Sequence, residues 1–432
     1  MLDIQFIRDN AEKVQEASGQ KGYKVDISEL LKVDEERRTL LSSVEVLRQK
    51  RNDNAAKMKG GKPTPELIHD GKLIKMELAQ QEEQFAGLDA EYEKLLRAVP
   101  NVPLDFVPVG ATEDENVISK TVGTPAEFDF TPKHDYELGA AHGLIDKERA
   151  AKIAGARFAY LKGGLVRLQF ALIQFVMQTL GNEEIIKKII ADNGLHVSTK
   201  PFTPVLPPAM LRTEPYVASA RLNAEEVTYK IEQDDLWLNA SAEHTLCTMY
   251  WNEILPEEQL PIRYLGYSTS FRREAGTYGK DVEGIFRLHQ FDKLEMETFT
   301  TAETGLEEHK LHIAIQEYLM QQLGLSYQFI QKCTADIGKP NASGVDINCW
   351  FPGQKAYRET HTADYMTDYQ SRDLRIRVRR KDGKLELVHT ADATAFAMSR
   401  ILKALIENNQ TADGRILVPS VLQPFTGGLA EI

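Results

Sequence analysis

Cysteine is scarce in this chain. Cys247, Cys333 and Cys349 are the only three in 432 residues, and they stand far apart. An odd number at wide spacing suits neither a disulfide framework nor a zinc site, and it fits a reducing cytoplasm. Long apolar runs are missing as well. No stretch reaches the roughly 18 residues that a membrane helix needs, and the opening MLDIQFIRDNAEKV carries acids too early for a secretory signal. There is no cationic excess. Lys and Arg number 52 against 64 Asp and Glu, a net charge of −12, so any nucleic-acid contact must come from a local basic patch. The common catalytic signatures are also lacking: no Rossmann glycine fingerprint, no HExxH, no GxSxG. Gly276-Thr277-Tyr278-Gly279-Lys280 is too short for a phosphate loop, is followed by Asp281 where Ser or Thr is needed, and joins two predicted strands. Nucleotide phosphates, if bound, would be held by side chains and ions.

The chain's length suits two or three domains, and 42% hydrophobic with 27% charged residues is ordinary for a globular protein. Residues 27–98 differ from the rest: they hold no Trp, no Cys, one Phe and one Tyr, with Pro only at Pro63 and Pro65. Val33, Leu40 and Leu47 fall seven apart, with Val44 and Met58 on the interleaved register. Beyond the GGKPTP break, Ile74, Leu78, Phe85, Leu88, Tyr92, Leu95 and Val99 repeat in steps of three, four or seven. Two apolar seams joined by a Gly/Pro turn predict an antiparallel helical hairpin. At about 1.5 Å per residue, arms of roughly 30 residues reach about 45 Å. Near the turn lie Arg48, Lys50, Arg51, Lys57, Lys59, Lys62, Lys72 and Lys75, with only Asp53, Glu66 and Asp70 among them. Two readings of that tip are open: a solvated coiled-coil end, or a basic finger aimed at a phosphate backbone.

The remaining chain divides into a Pro-rich, then acidic linker and domain entry over 106–133 and a mixed region over 134–432, with residues 1–105 as the first domain. Helices are expected up to Gly181, over 302–323, and over ATAFAMSRILKALIENNQ (393–410). Strands outnumber helices after residue 200 and are joined by short turns, so the expected class is α+β on a largely antiparallel sheet. The most informative stretch is FRREAGTYGKDVEGIFRLHQFDKLE, residues 271–295. Around its glycine-bearing turn, IRYLGYSTSFRRE and IFRLHQFDKLEMETF read as two strands. In the second, Phe286, Leu288, Leu294 and Met296 share one parity, and Arg287, His289, Phe291, Lys293 and Glu295 the other. A solvated face could look like this. The ring and imidazole among the charges favour the floor of a ligand site.

FRREAG…GIFRLHQFDKLE resembles motif 2 of class II aminoacyl-tRNA synthetases, in the form found in the seryl-tRNA synthetase family. The resemblance runs in order through AVPNVPLDFVPVG, ELGAAHGLIDKERAAKIAGARFAYLKG, FTPVLPP, SAEHTL, YRET…DYQSRDLRIR and SRILKALIENNQ. It implies an N-terminal tRNA-binding domain with a long antiparallel coiled-coil arm, and a class II catalytic domain on an antiparallel sheet flanked by helices. It also implies ATP-dependent and Mg²⁺-dependent activation of serine, then transfer to tRNA(Ser), with tRNA(Sec) as a second candidate acceptor. A homodimer is implied, with motif 1 around helix 165–181 and Pro204 at the interface. By the same resemblance Arg272 stabilises the α-phosphate, where charge builds during in-line displacement. Glu274 orients the adenine end and the tRNA terminus. Phe291 and Arg400 stack on adenine from opposite sides. Glu359 and Thr362 hold Mg²⁺. The serine pocket is formed by Ser241, Glu243, Lys293, Glu295, Asp392 and Thr394, together with Arg272. The contacts to tRNA fall on Lys50, Arg51, Lys57, Lys59, Lys62, Lys72 and Lys75.

Several positions depart from the family pattern. Ser241 stands where Thr is usual, SARLNAEEVTYKIE replaces a Thr-Gly-rich loop, and Thr360-His361-Thr362-Ala363-Asp364 replaces a Ser-Cys-Ser run. Asp392 stands where Asn is expected. Asp364 and Asp392 thus place extra negative charge beside the expected pocket. Two alternatives follow: a paralogue that adenylates another small amino acid or loads another acceptor, or an inactive tRNA-binding relative.

Overall fold

The computed structural model describes residues 1–59, 64–221, 228–274 and 283–432. It divides into two compact units, Met1–Val102 and Pro103–Ile432.

In the first unit two short helices precede Ile27–Lys59 (α1, 33 residues) and Pro65–Ala98 (α2, 34 residues). Asp26 Oδ1 accepts from the Glu29 amide at 3.0 Å and so caps α1. Thr64 caps α2 with Pro65 in its first turn, the residue types these positions favour. The expected seams meet. Val44, Leu47 and Leu78 form a buried cluster with Phe85 against it, and Val33, Tyr92 and Leu96 are buried towards the base. Arg37 reaches across to Asp89 at 2.6 Å and lies 4.4 Å from the Tyr92 ring. Lys50, Arg51, Lys57, Lys59, Lys72 and Lys75 are all exposed. Lys62 lies outside the described residues.

The second unit is built on one sheet of eight strands. They are Val117–Val122 (β1), Thr203–Val205 (β2), Ile262–Phe271 (β3), Gln290–Thr300 (β4), Tyr327–Gln331 (β5), Ser343–Phe351 (β6), Ala356–Thr367 (β7) and His389–Ala397 (β8). Their order is β1-β5-β6-β7-β8-β4-β3-β2. Neighbours are antiparallel except β2, which joins β3 in parallel at the edge. Helices Gly164–Leu180 (α3), Gly305–Gln322 (α4) and Met398–Asn408 (α5) share one hydrophobic core with the sheet.

Three local expectations are corrected. The stretch ATAFA is not helical. It is the end of β8, and α5 begins only at Met398. Alanine favours helix, but here Ala393 pairs with both Met296 and Ala363 in the middle of the sheet, and that pairing overrides local propensity. The second strand of the hairpin starts at Gln290 rather than Ile285. Residues 283–289 are held elsewhere: Lys147 donates to the Glu283 and Gly284 carbonyls, the Ile285 amide to Asp135, and Phe286 packs edge-on to Phe351. The expected turn over 275–281 lies outside the described residues. The stretch expected as linker contributes edge strand β1, paired with β5.

One buried ion pair ties strand to helix. Arg263 of β3 grips Glu308 of α4 through two bonds of 2.8 Å, with both side chains almost fully buried. Removing one partner strands a charge in the interior. Arg263→Met should lower the free energy of unfolding by about 3–5 kcal/mol, and the double variant Arg263→Met/Glu308→Gln should lose less. Urea denaturation of the three proteins checks the order.

Candidate active site

Strand β4 sets the site. From Lys293 to its end every residue is buried, on both faces. Leu294 and Met296 point into the core, whereas Lys293, Glu295 and Glu297 fill the opposite face at 4%, 0% and 0% exposure. A face of buried charges cannot be a solvated one, and each charge there needs a partner.

The partners form two groups along the strand. At the acidic end Lys293 Nζ lies 2.5 Å from Glu295 Oε2 and 3.1 Å from Ser241 Oγ, and Ser241 Oγ lies 3.3 Å from the same carboxylate. Ser241 and Glu243 come from the turn after Leu236–Leu238. Arg221 Nη1 lies 3.6 Å from Glu243, and its Nη2 pairs with Asp392 on β8. Burial alone would raise the Glu243 carboxyl, but Arg221 and Lys293 hold it well below the usual carboxylate range. Burial raises Glu295, although Lys293 opposes it. Glu297 is raised well above the ordinary value, first by burial and then by Asp392. Acid oxygens of Glu243, Glu295 and Asp392 lie within 4.8 Å of one another. A cation could bridge such a trio. Here Arg221 already spans two of them and Lys293 takes the third.

At the other end, Arg272, Glu274, Phe286, Phe291, Glu359, Thr362, Thr394 and Arg400 share a cavity of about 80 Å³. Arg272 Nε donates to the Ala240 carbonyl at 3.1 Å, and its guanidinium lies 5.3 Å from the Phe291 ring. Glu274 takes a left-handed backbone, φ +49°, and accepts from Arg287 at 3.1 Å. Strained backbone at a non-glycine residue is the kind held in place at functional sites. Arg400 meets Glu359 Oε1 at 2.6 Å and lies 5.0 Å from the Phe286 ring. The Glu359 side chain is 46% exposed, and Arg400 and then Lys332 bring its pKa down to about 2. An adjoining apolar cavity of about 350 Å³ shares Leu288, Phe291 and Ser399 with this one.

Two β-bulges aim these side chains. Ile347 pairs with His361 and Asn348 with Glu359, so Thr360 is the extra residue. Glu359 and Thr362 are three apart and would face opposite sides of a regular strand. The bulge turns both into the cavity. On β8 the extra residue is Ala395, and Thr394 and Ala397 line the cavity together for the same reason. From α4 beneath, Gln316 donates 2.8 Å bonds to the Thr362 and Thr394 carbonyls and fixes the two strands.

The expected residues therefore gather as two adjoining ends of one site. Arg400 rests against Phe286 and lines the same cavity as Phe291. The charges of Asp364 and Asp392 are matched: Asp392 by Arg221, and Asp364 by Lys332 at 3.8 Å. Arg221, Lys332, Phe286, Gln316 and Glu297 were not singled out from sequence. For Glu297 the parity of β4 was an available signal, one step beyond Glu295. For Arg221 the signal was coarse: it lies in SARLNAEEVTYKIE, the stretch that departs from the family's loop.

The family model for the seryl-tRNA synthetase N-terminal domain matches residues 1–103, and that for the tRNA synthetase class II core domain (G, H, P, S and T) matches residues 228–409. A serine–tRNA ligase of Thermotoga neapolitana is 39% identical over 436 residues, covering 99% of each chain. That of Deinococcus radiodurans is 37% identical over 433 residues, covering 99% of this chain and 98% of its own. Among solved structures, seryl-tRNA synthetase from Pyrococcus horikoshii complexed with ATP superposes with a TM-score of 0.86 at 35% identity, covering 100% of this chain and 99% of that one. The cytoplasmic enzyme of Naegleria fowleri in complex with AMP gives 0.83 at 27%, covering 100% and 98%. Matched from end to end in sequence and in fold, the chain belongs to the seryl-tRNA synthetase family.

Proposed function

We propose that this chain activates serine with ATP to give seryl-adenylate and transfers the seryl group to the 3′ end of tRNA(Ser). One observation carries the assignment: a buried cluster of Ser241, Glu243 and Glu295 adjoins, along a single strand, a guanidinium and aromatic cavity at Arg272, Phe291 and Arg400. The two ends suit a substrate ammonium and a nucleotide phosphate respectively.

Glu295 and Glu243 take the serine ammonium, and Ser241 and Thr394 meet its hydroxyl. Lys293 and Arg272 face its carboxylate. Attack of that carboxylate on the α-phosphorus spreads negative charge over the phosphate oxygens, and Arg272, fixed by Ala240 and Phe291, is already in place to meet it. Phe291 stacks on the adenine, and Arg400 reaches it from the Phe286 side. Glu274, held by Arg287, orients the adenine end and the tRNA terminus. The residues also fit a magnesium ion. Thr362 faces Asp346 across the strand pair, Asp346 Oδ1 lies 3.7 Å from Lys332, Arg400 occupies only Oε1 of Glu359, and oxygen donors suit a hard cation. Glu359 and Thr362 would hold it, and it would neutralise phosphate charge there. A homodimer through α3 and Pro204 is supported by the open edge at β2 and by Phe170 and Leu206, which are 52% and 77% exposed. No helix among the described residues is long and apolar enough to cross a membrane. Residues 1–105, with the arm, serve tRNA(Ser), and tRNA(Sec) is a second candidate.

Arg272→Ala should lower serine-dependent pyrophosphate exchange by about 10²–10³-fold with unchanged unfolding, and near-normal exchange would remove Arg272 from the reaction. Glu359→Gln should lower the exchange rate and raise the Mg²⁺ concentration needed for half-maximal rate, since a neutral amide binds a hard cation less well. An unaltered Mg²⁺ titration counts against the metal assignment. Alanine at Lys57, Lys59 and Lys62 together should weaken tRNA binding and flatten its salt dependence, by roughly one unit of log–log slope for each phosphate no longer neutralised. Pyrophosphate exchange in that variant should be untouched. Binding titrations at several salt concentrations decide between a phosphate-gripping tip and a solvated one.

A further inference from the structure

The amino-acid end of the site holds more buried charge than a single ammonium requires. Glu243, Glu295 and Asp392 are 8%, 0% and 0% exposed. Glu297, the register partner of Asp392 on β4, is 0% exposed, and neither of its oxygens has a hydrogen-bond partner among the described residues. Burial and then Asp392 push the Glu297 carboxyl well above the ordinary range, with Arg221 opposing. Two cations lie among the other three acids: Arg221 spans Glu243 and Asp392, and Lys293 pairs with Glu295. An α-ammonium at Glu243 and Glu295 would be the third cation of the cluster.

Arg221 holds two of these acids, and its placement is built in. Its own amide donates to Ser219 Oγ at 3.2 Å, Gln370 donates to the Ser219 carbonyl at 3.0 Å, and Thr390 donates to Gln370 at 2.8 Å. The side chain is 12% exposed and is spanned between Asp392 and Glu243. We propose that Arg221 is a specificity-determining residue: held by Asp392 and Glu243, its guanidinium leaves the pocket room for one substrate ammonium and repels a second. Serine is taken, and 2,3-diaminopropionate, which is serine with the hydroxyl replaced by an amine, is refused. Repulsion of a like charge in a desolvated pocket is a means of selection that shape cannot supply between two side chains so close in size. Asp392 is then the counter-charge that allows Arg221 to be buried.

The test is pyrophosphate exchange with serine and with 2,3-diaminopropionate, below the pKa of both amines of the latter, accompanied by thermal unfolding. Wild type should prefer serine. Arg221→Met should raise the KM for serine and shift the ratio of kcat/KM values at least tenfold towards 2,3-diaminopropionate. Arg221→Lys, which keeps the charge, should hold the wild-type ratio. Asp392→Asn should impair serine use, and the double variant Arg221→Met/Asp392→Asn should recover serine use relative to either single variant. An unchanged ratio in Arg221→Met, a lysine variant that shifts as methionine does, or simply additive penalties would overturn the inference. If Arg221→Met fails to fold, Arg221→Gln against Arg221→Lys carries the same comparison. Because the inference rests on serine activation at this site, a wild-type chain with no serine-dependent exchange brings down both, whereas normal exchange with an unshifted ratio removes only the role of Arg221.

Discussion

A charge shut away from water must be matched where it lies, and the catalytic unit depends on that constraint. Strand β4 buries both of its faces, so Lys293, Glu295 and Glu297 cannot turn to solvent. Lys293 and Glu295 meet each other and Ser241, Arg221 matches Glu243 and Asp392 beside them, and Glu297, its carboxyl raised by burial, has no hydrogen-bond partner among the described residues. The same requirement shapes the far side of the site. Lys332 lies 3.7 Å from Asp346 and 3.8 Å from Asp364. Gly344 lets it pass, because a Cβ there would meet Asp364 Oδ1 at 2.6 Å and Lys332 Cδ at 3.0 Å. Buried pairs of this kind contribute little net stability, because desolvation offsets their attraction. They fix charges in place, and a site that must meet both an ammonium and a phosphate needs fixed charges of both signs.

Much of this was legible in the sequence. The arm was, because two long helices that pack only on each other must show their seam as a spacing of three, four and seven. The charged parity of β4 was legible too, because a strand's side chains alternate whatever covers it. The start of α5 was not. A run of alanines carries a helical preference, and only the partners Met296 and Ala363 make it a strand. The convergence of Glu359 with Thr362 was also hidden in the pattern. It depends on one extra residue at Thr360, which no periodicity reveals. Resemblance to the family supplied that pair, and the bulge supplies its physical reason.

Arg221 illustrates a different limit. It lies twenty positions before Ser241 in a stretch with no regular pattern, and its partner Asp392 comes from the last strand of the sheet. From sequence, Asp392 reads as added negative charge beside the pocket. The fold turns it into half of an ion pair. A departure from a family pattern can therefore be compensated by a second departure remote in sequence, and only the packing of β8 against the Ser219–Arg221 turn brings the two together. Ser219 holds the Arg221 amide, and Gln370 holds the Ser219 carbonyl, so the backbone that carries the guanidinium is tied to the catalytic unit.

The order of side chains along β4 has its own logic. Glu295, Lys293 and Phe291 follow one another on one face, in steps of about 6.6 Å for each pair of residues. In the proposed reaction an aminoacyl-adenylate laid along that face meets them in sequence: its ammonium at Glu295, its carbonyl and phosphate between Lys293 and Arg272, its adenine at Phe291. The alternation of charge and ring on the strand mirrors the alternation of groups in the intermediate. A strand can impose such an order because its rise is fixed, whereas a loop would have to be held at every point. The neighbouring strands then need to supply only the groups that β4 cannot: Arg272 at the end of β3, and Glu359 and Thr362 from the bulge in β7. Phe291 also borders the apolar cavity of about 350 Å³, so the strand leaves its acidic end enclosed and opens at its aromatic end. Entry from the open end would place the ammonium last, at the buried end beside Glu295 and Glu243.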